Sequence, residues 1–556
     1  MKKVFLLLLA MMVALSLTPG FAETAEKDPT LPDKDIVVLF TSDVHCGIDQ
    51  GFGYVGLDAV RNHLAAGNRY VSLVDDGDAI QGEPIGTLTK GAAIVELMNT
   101  MKYDVAIPGN HEFDYGMENF LELAKKANYP YVCANFTHEG KLVFPAYHIM
   151  TYGDVKVAFV GVCTPTTITT STPKYFQNDQ GEFVYGFEEG ENGQKLYAAV
   201  QKAVDDARAE GANYVVVIAH LGIEAETSPY MSTEVIANTT GIDAVLDGHS
   251  HSVIPQEKVL NKDGKEVLLS AVGTKLEHFG MLTINTKGEL STSLMSWSNK
   301  MSAPEAFSLT TGEVAEAVGK ELSALDETLN QVVATTAVDL IIADPATDVR
   351  VIRTAETNLG DLCADAYRLV SGADIAFVNG GGIRVKIDKG EITNGEILKV
   401  HPFGNELCVV EATGQEILDA LEWGARVVPE ESGGFLQVSG LTYEIHTYLP
   451  STTTKDERGM FTGVAGEYRV KNVKVAGEDL DLTKTYTLAS HNYMLQDAGD
   501  GFTMFQDNKY LQQGSMLDNQ VLITYITQNL GGNVGTDYAE PFGQGRIVAV
   551  AEKPAE

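Results

Sequence analysis

From Asp35 to about Ser302, short apolar runs alternate with stretches of helical period. The runs Ile36–Phe40, Tyr70–Val74, Val105–Ile107, Val155–Val160, Tyr214–Ile218 and Ala244–Leu246 are too short for helices and rich in β-branched residues. They read as strands of a largely buried sheet. Between them, residues 116–127 and 196–210 repeat apolar positions at steps of three and four, which predicts helices. That alternation predicts an α/β domain. Next, Val314, Val318, Leu322, Leu325 and Leu329 fall at helical spacing with acids between them, so the stretch from Ser308 to Val332 is expected to form one amphipathic helix connecting two domains. From Val351 to Val550 a second α/β or α+β unit follows, with Gly-bearing turns at 379–382 and 499–501 and no repeat of the first half. The stretch Ser451 to Lys455 reads as a polar loop and Glu552 to Glu556 as a polar tail.

With 44% hydrophobic residues and no dominant short period, the 556-residue chain is not disordered, collagenous or a coiled coil. Its length suggests two to four domains, and two large ones also fit. Acids outnumber bases 76 to 40, a net charge of −36, which repels nucleic-acid polymers and anionic lipid. An anionic substrate must therefore meet a locally positive site made of metal ions or clustered arginines. At the N-terminus, Lys2 and Lys3, an apolar stretch from Val4 to Leu17, and Gly20-Phe21-Ala22 form the pattern of a signal peptide over 1–22. A transmembrane anchor is the alternative, but the apolar core is short for a span. Export to the periplasm, cell surface or medium is the expectation, with no membrane span after cleavage. Five widely spaced cysteines without a CxxC pair do not form a disulfide framework; Cys133, Cys163 and Cys408 lie in apolar runs that look like strands.

Polar clusters end five of these segments. Asp43-Val-His45 follows the first strand, Asp75-Asp76-Gly-Asp78 the second, and Asn110-His111-Glu112-Phe113-Asp114 the third. His220 ends the run at 214–218, and Asp247-Gly-His249-Ser-His251 the run at 244–246. Ligands of open α/β sheets bind beyond the carboxyl ends of the strands. A single His after a strand is most often an ordinary loop residue, and an Asp-Gly pair is usually a turn. Five such ends, holding five of the chain's 12 histidines, are expected to converge on one place.

Imidazole, carboxylate and amide oxygen without thiolate suit Zn, Mn, Fe, Co or Ni rather than a structural Cys-type site. Seven candidate ligands (Asp43, His45, Asp78, Asn110, His220, His249 and His251) exceed the needs of one ion and suit two sharing a carboxylate. Such a pair lowers the pKa of water and clamps phosphoryl oxygens.

Asp-x-His, Gly-Asp, Gly-Asn-His-Glu, Ala-His and Gly-His-x-His, in this order, resemble the calcineurin-like metallophosphoesterases. Further on, Glu356 to Leu362, Asn379-Gly-Gly-Gly-Ile-Arg384, His401-Pro-Phe-Gly-Asn405 and Gly499-Asp-Gly501 look like the C-terminal domain of secreted 5′-nucleotidases and UDP-sugar hydrolases. The resemblance runs from about Ile36 to Val550. It implies a four-layer α/β-β/α metallophosphoesterase domain over 35–305, a linker helix over 306–335 and a C-terminal α/β nucleotide-binding domain over 336–551.

It also implies roles. Asp43, His45 and His251 would hold one divalent ion (Zn, Mn, Co or similar), Asn110, His220 and His249 the other, with Asp78 bridging. His111 and Asp114 match the catalytic dyad; three residues apart, they share one face if a helix begins there. The alternative is that Asp114 only caps that helix. Arg353 and Arg384 match substrate-contacting arginines, with Arg350 a weaker candidate nearby. Asn379 and Gly381 would let backbone approach the substrate. Phe403 matches one of two rings that sandwich the base, and Asn405 and Asp500 would hydrogen-bond base and ribose. At the second ring the chain departs from the family: Met494 stands at the ring position and Ala498 at the first of two glycines, so either Tyr493 or Met494 would cover the base. The implied activity is hydrolysis of nucleoside 5′-monophosphates, with UDP-sugars and other nucleotides as further substrates. The nearest alternative is a 2′,3′-cyclic-nucleotide 2′-phosphodiesterase with 3′-nucleotidase activity.

Overall fold

The computed structural model describes residues 30–296, 312–514 and 516–553. The expected signal segment, the start of the expected connector helix and the last three residues of the polar tail lie outside them.

Two mixed sheets form the centre of the N-terminal half. One orders its strands Leu290–Ser296, His278–Ile284, Asp35–Thr41, Arg69–Asp75 and Val105–Ala106. The other runs Val253–Leu260, Glu266–Val272, Ala244–Asp247, Tyr214–His220, Val155–Cys163 and Tyr147–Tyr152. The period-two alternation of each strand sorts its side chains into different cores. Ile36, Val38 and Phe40 join Val216, Ile218 and Leu246 in an apolar layer between the sheets. Val37 and Leu39 point the other way, into a core shared with the helices Gly53–Ala65 and Ala92–Met101. Val215, Val217 and Ala219 face the helix Gln194–Ala209. Helix, sheet, sheet, helix: the four layers follow from these three cores. Each fully buried Val, Ile or Phe stabilises them by about 1.5–3 kcal/mol. Phe40 pairs in register with Gly280, where a Cβ would stand 1.9 Å from the Phe40 ring, so the glycine makes room for the aromatic.

A mixed five-stranded sheet, ordered Leu436–Ser439, Ile375–Asn379, Thr485–His491, Leu407–Thr413 and Tyr510–Gln512, centres the C-terminal half. The helix Asn358–Ser371 covers one face. It begins at Thr357, whose side chain accepts from the Gly360 N–H, and ends at Gly372 in the left-handed conformation. The helix Gly414–Gly424 covers the other face, above Cys408, Val410 and Ala412.

The amphipathic helix between the halves spans Glu313–Leu329. It does not stand free: Val314 and Val318 are buried in the N-terminal helical core. The next strand, Val332–Thr336, already pairs with Gly390–Thr393 and Asn533–Val534 of the C-terminal half. All five cysteines are buried and free. Cys163 and Cys408 lie in strands, but Cys133 falls in the loop before the short strand Thr137–His138, a difference from the apolar-run reading. Among the described residues, no helix is long and apolar enough to cross a membrane.

Candidate functional site

The polar clusters sit at neighbouring strand ends, in loops whose backbone is forced into unusual shapes. Asp43, His45, Asp78, His249 and His251 have φ of 50, 47, 59, 74 and 52°. Non-glycine residues avoid this left-handed region at roughly 1–2 kcal/mol each. Such strain persists where packing over-determines it, and it gathers at functional sites.

All seven candidate ligands meet there. Donor atoms of Asp43, His45 and His251 lie within 4.8 Å of one another, as do those of Asp78, His220 and His249. Asp78 also groups with His45, 3.9 Å from its Nε2. Its Oδ2 is 3.0 Å from His220 Nε2, placing Asp78 between the two sets. Asn110 Oδ1 lies 2.9 Å from His249 Nδ1 and 3.3 Å from His220 Nε2.

The tautomers follow from the outer contacts. His45 Nδ1 meets the Gln81 carbonyl at 2.9 Å and His220 Nδ1 the Asp76 carbonyl at 2.8 Å. A carbonyl only accepts, so each Nδ1 carries a proton and each Nε2 is left facing inward. His45 Nε2 and His251 Nε2 then face each other at 3.1 Å, with Asp43 Oδ1 3.4 Å from the latter. Burial holds His249 down to about 3 and His45 well below the usual histidine range. Burial opposes charge at His220 too, yet the carboxylates of Asp78 and Asp43 push it up to about 10. Converging lone pairs and carboxylates of this kind demand positive charge, and the nitrogen and oxygen donor set fits divalent transition ions.

A layer absent from the sequence-based expectations holds these loops. Buried Glu112 accepts from the N–H groups of Gly109 (2.6 Å), Asp78 (2.9 Å) and Ala79 (2.8 Å), tying two ligand loops together. Asp247 accepts from Leu221 and Gly222 and fixes the turn after His220. Both lie inside the motifs, but apart from Gly109 the backbone groups they serve are distant in sequence.

His111 and Asp114 are joined at 2.5 Å, Nδ1 to Oδ2. The turn His111–Phe113 is a 3₁₀ segment, in which positions three apart eclipse. Asp114 does not cap the following helix; its other oxygen accepts from Ser171 at 2.9 Å, and the residue before Met117–Lys126 is Gly116. Burial disfavours the imidazolium, but Asp114 and Asp78 outweigh it and raise the His111 pKa.

Asp78, Asn110, His111, His249 and His251 line a cleft of about 470 Å³ between the two halves. Across it stand Arg350, Arg353, Arg384, Asn379, Gly381 and Phe403, then Asn405, Tyr493 and Asp500. Among the described residues, neither the Arg353 nor the Arg384 guanidinium has a hydrogen bond or ion pair within the protein. Burial lowers the pKa of both, and the neighbouring arginines add to it, bringing Arg353 to about 9. Arg350 instead pairs with Glu431. Asn379 Nδ2 donates to Asp500 at 2.7 Å. Phe403 lies 5.7 Å from His111 and, on its face, 5.7 Å from the Arg384 guanidinium. Met494 is fully buried in the C-terminal core, whereas the Tyr493 ring lines the cleft.

Residues 36–253 match the family model described as calcineurin-like phosphoesterase, and residues 332–507 that of the 5′-nucleotidase C-terminal domain. The chain belongs to the 5′-nucleotidase family of metallophosphoesterases. It is accordingly a hydrolase with a calcineurin-like domain followed by a 5′-nucleotidase domain. Over 93% of its length it is 28% identical to the trifunctional nucleotide phosphoesterase protein YfkN of Bacillus subtilis, of which it spans 35%. It is 27% identical to the 5′-nucleotidase of Vibrio cholerae, covering 89% of this chain and 90% of that one. The crystal structure of a 5′-nucleotidase precursor from Thermus thermophilus superposes with a TM-score of 0.76 at 28% identity, covering 93% of this chain and all of that one (100%).

Proposed function

We propose that the protein is an exported two-metal 5′-nucleotidase, hydrolysing nucleoside 5′-monophosphates to nucleoside and phosphate, with UDP-sugars and other nucleotides as further substrates. One observation carries the reading: the metal-type donor cluster, the His111–Asp114 pair, and Arg353 and Arg384, which have no ion pair among the described residues, share a single cleft with aromatic residues of the C-terminal half. The relatives named for 5′-nucleotidase activity support the same substrate.

In this reading Asp43, His45 and His251 would hold one divalent ion and Asn110, His220 and His249 the other, with Asp78 serving both sets. Divalent ions bound there would lower the pKa of water and neutralise phosphoryl charge. His111, kept protonated by Asp114, donates to the phosphoryl oxygens as charge develops. Arg353 and Arg384 grip the phosphate, which is how so acidic a chain attracts an anion. Phe403 and Tyr493 contact the base by their faces, while Asn379, Gly381, Asn405 and Asp500 position base and ribose. The metallophosphoesterase unit extends over 35–305 and the nucleotide-binding unit over 336–551, with 306–335 between them. Cleavage after Ala22 releases the chain outside the cytoplasm.

Phosphate release from 5′-AMP and 3′-AMP, measured in parallel before and after EDTA and again with Mn²⁺ restored, tests this. Release from 5′-AMP, abolished by chelation and recovered with metal, is the expected result. A preference for 3′-AMP would assign the protein to the cyclic-phosphodiesterase branch instead.

A further inference from the structure

Behind the arginines lies a second cavity of about 140 Å³. Arg350, Arg353, Arg384 and His251 border both this cavity and the large cleft, so they form the wall between the two. The remaining surface brings Lys275 and Glu83 from the N-terminal half and Lys399 from the C-terminal half. Glu83 is already answered: Lys275 Nζ lies 2.8 Å and Gln50 Nε2 2.6 Å from its Oε1, and Lys399 Nζ lies 3.1 Å from its Oε2. Burial alone would favour the neutral acid, but the two ammonium groups hold Glu83 below the usual carboxylate range. The cavity is thus lined by five cationic side chains and one carboxylate, with Arg350 also held by Glu431 outside it, in a chain of net charge −36. Two of those cations, Arg353 and Arg384, make no hydrogen bond or ion pair among the described residues. Unpaired guanidiniums in a confined space are costly unless an anion completes them.

We propose that this rear cavity is a second oxyanion pocket and that its ligand is inorganic phosphate. The inference rests on the nucleotidase reading, because phosphate is the product that hydrolysis leaves beside the shared arginine wall. Arg353 and Arg384 hold the anion from the front while it is esterified. Freed of the nucleoside, the tetrahedral anion passes behind them, where Lys275 and Lys399 exchange part of their contact with Glu83 for its oxygens. The nucleoside leaves by the cleft, so the two products do not compete for one exit.

The test compares the metal-loaded protein with Lys275→Gln and Glu83→Gln, using inorganic phosphate as the probe in two assays. The first is inhibition of 5′-AMP hydrolysis by added phosphate; the second is calorimetric titration of phosphate without nucleotide. Inhibition is expected to be mixed rather than purely competitive, because the rear pocket fills while nucleotide occupies the cleft. Lys275→Gln should weaken phosphate by roughly threefold or more, the effect of one partly exposed charge, with KM for 5′-AMP within about twofold of the parent. Glu83→Gln frees both lysines and should tighten phosphate, an opposite shift that loss of packing does not produce. Should Lys275→Gln fail to fold, the Glu83→Gln shift decides alone. Purely competitive inhibition, with the same phosphate constant in all three proteins, overturns the pocket. Absence of any 5′-AMP hydrolysis overturns the nucleotidase reading instead; the calorimetric comparison still decides whether the pocket binds phosphate.

Discussion

The ring of Tyr493 lies against Gly499 so closely that a Cβ there would stand 2.3 Å from the ring carbons Cε2 and Cζ. From this position its hydroxyl donates to the Thr169 carbonyl of the N-terminal half at 3.0 Å and accepts the Asp500 N–H, also at 3.0 Å. One ring therefore ties a cleft loop, a residue proposed to contact the nucleoside, and the opposite domain together.

Gly499→Ala should displace that ring. Loss of one stacking surface and of the Asp500 contact is expected to raise KM for 5′-AMP about tenfold, near 1.4 kcal/mol, while kcat changes far less. Steady-state kinetics check this; an unchanged KM would mean that Tyr493 does not touch the base.

Asp114 acts through His111. Asp114→Asn keeps the shape and the Ser171 contact but removes the charge that holds the imidazolium against burial. The expected result is a fall in kcat of roughly 100-fold, the lower end for general acid–base assistance, with KM nearly unchanged. A raised KM with kcat unchanged would point to binding rather than charge stabilisation.

Glu112 is the joint of the metal site. Its two oxygens serve four N–H donors, those of Gly109, Asp78, Ala79 and, at 3.4 Å, Ile80, and the amide of Glu112→Gln keeps only one oxygen to accept them. A buried N–H left unmatched costs about 1–3 kcal/mol. The variant should melt at lower temperature and bind Mn²⁺ about 10–100-fold more weakly, the usual effect of losing an outer partner of a ligand. Thermal melts with and without EDTA separate the two effects.

That joint also marks the limit of what could be read from the chain. Strands 35–41, 69–75 and 214–220 are built on apolar stretches, so period and length reveal them, and the ligands stand at or just past their carboxyl ends. The partners of Glu112 at Asp78 and Ala79, and those of Glu83 at Lys275 and Lys399, are separated from them by loops and strands that no local pattern encodes. Tyr493 and Met494 are adjacent and both apolar enough to be buried; only the turn of the short helix Asn492–Leu495 sends Met494 into the core and Tyr493 to the cleft. Ala498 takes the left-handed conformation (φ 54°), the backbone region that favours the glycine the resemblance implied there.

Asp518 links the C-terminal core to pH. It is 2% exposed and accepts from the N–H groups of Asn519 (2.8 Å) and Asn405 (3.3 Å), yet burial pushes its carboxyl from 3.8 up to about 8. Between those values the folded chain keeps a proton that the unfolded chain has lost, so stability falls as pH rises. The contribution is whole below about 3.8 and is lost as pH climbs through about 8. Asp518→Asn removes this group's titration. It also gives up one of the two acceptors, so the variant should be less stable at pH 5.5 but should lose less between pH 5.5 and 8.5. Asp361, raised to about 8 by burial with Glu356 beside it, still titrates, so the slope should shrink rather than vanish. Urea midpoints at the two pH values measure the difference. An identical slope in parent and variant would show that Asp518 is ionised in the folded protein, held by its two N–H donors against the cost of burial.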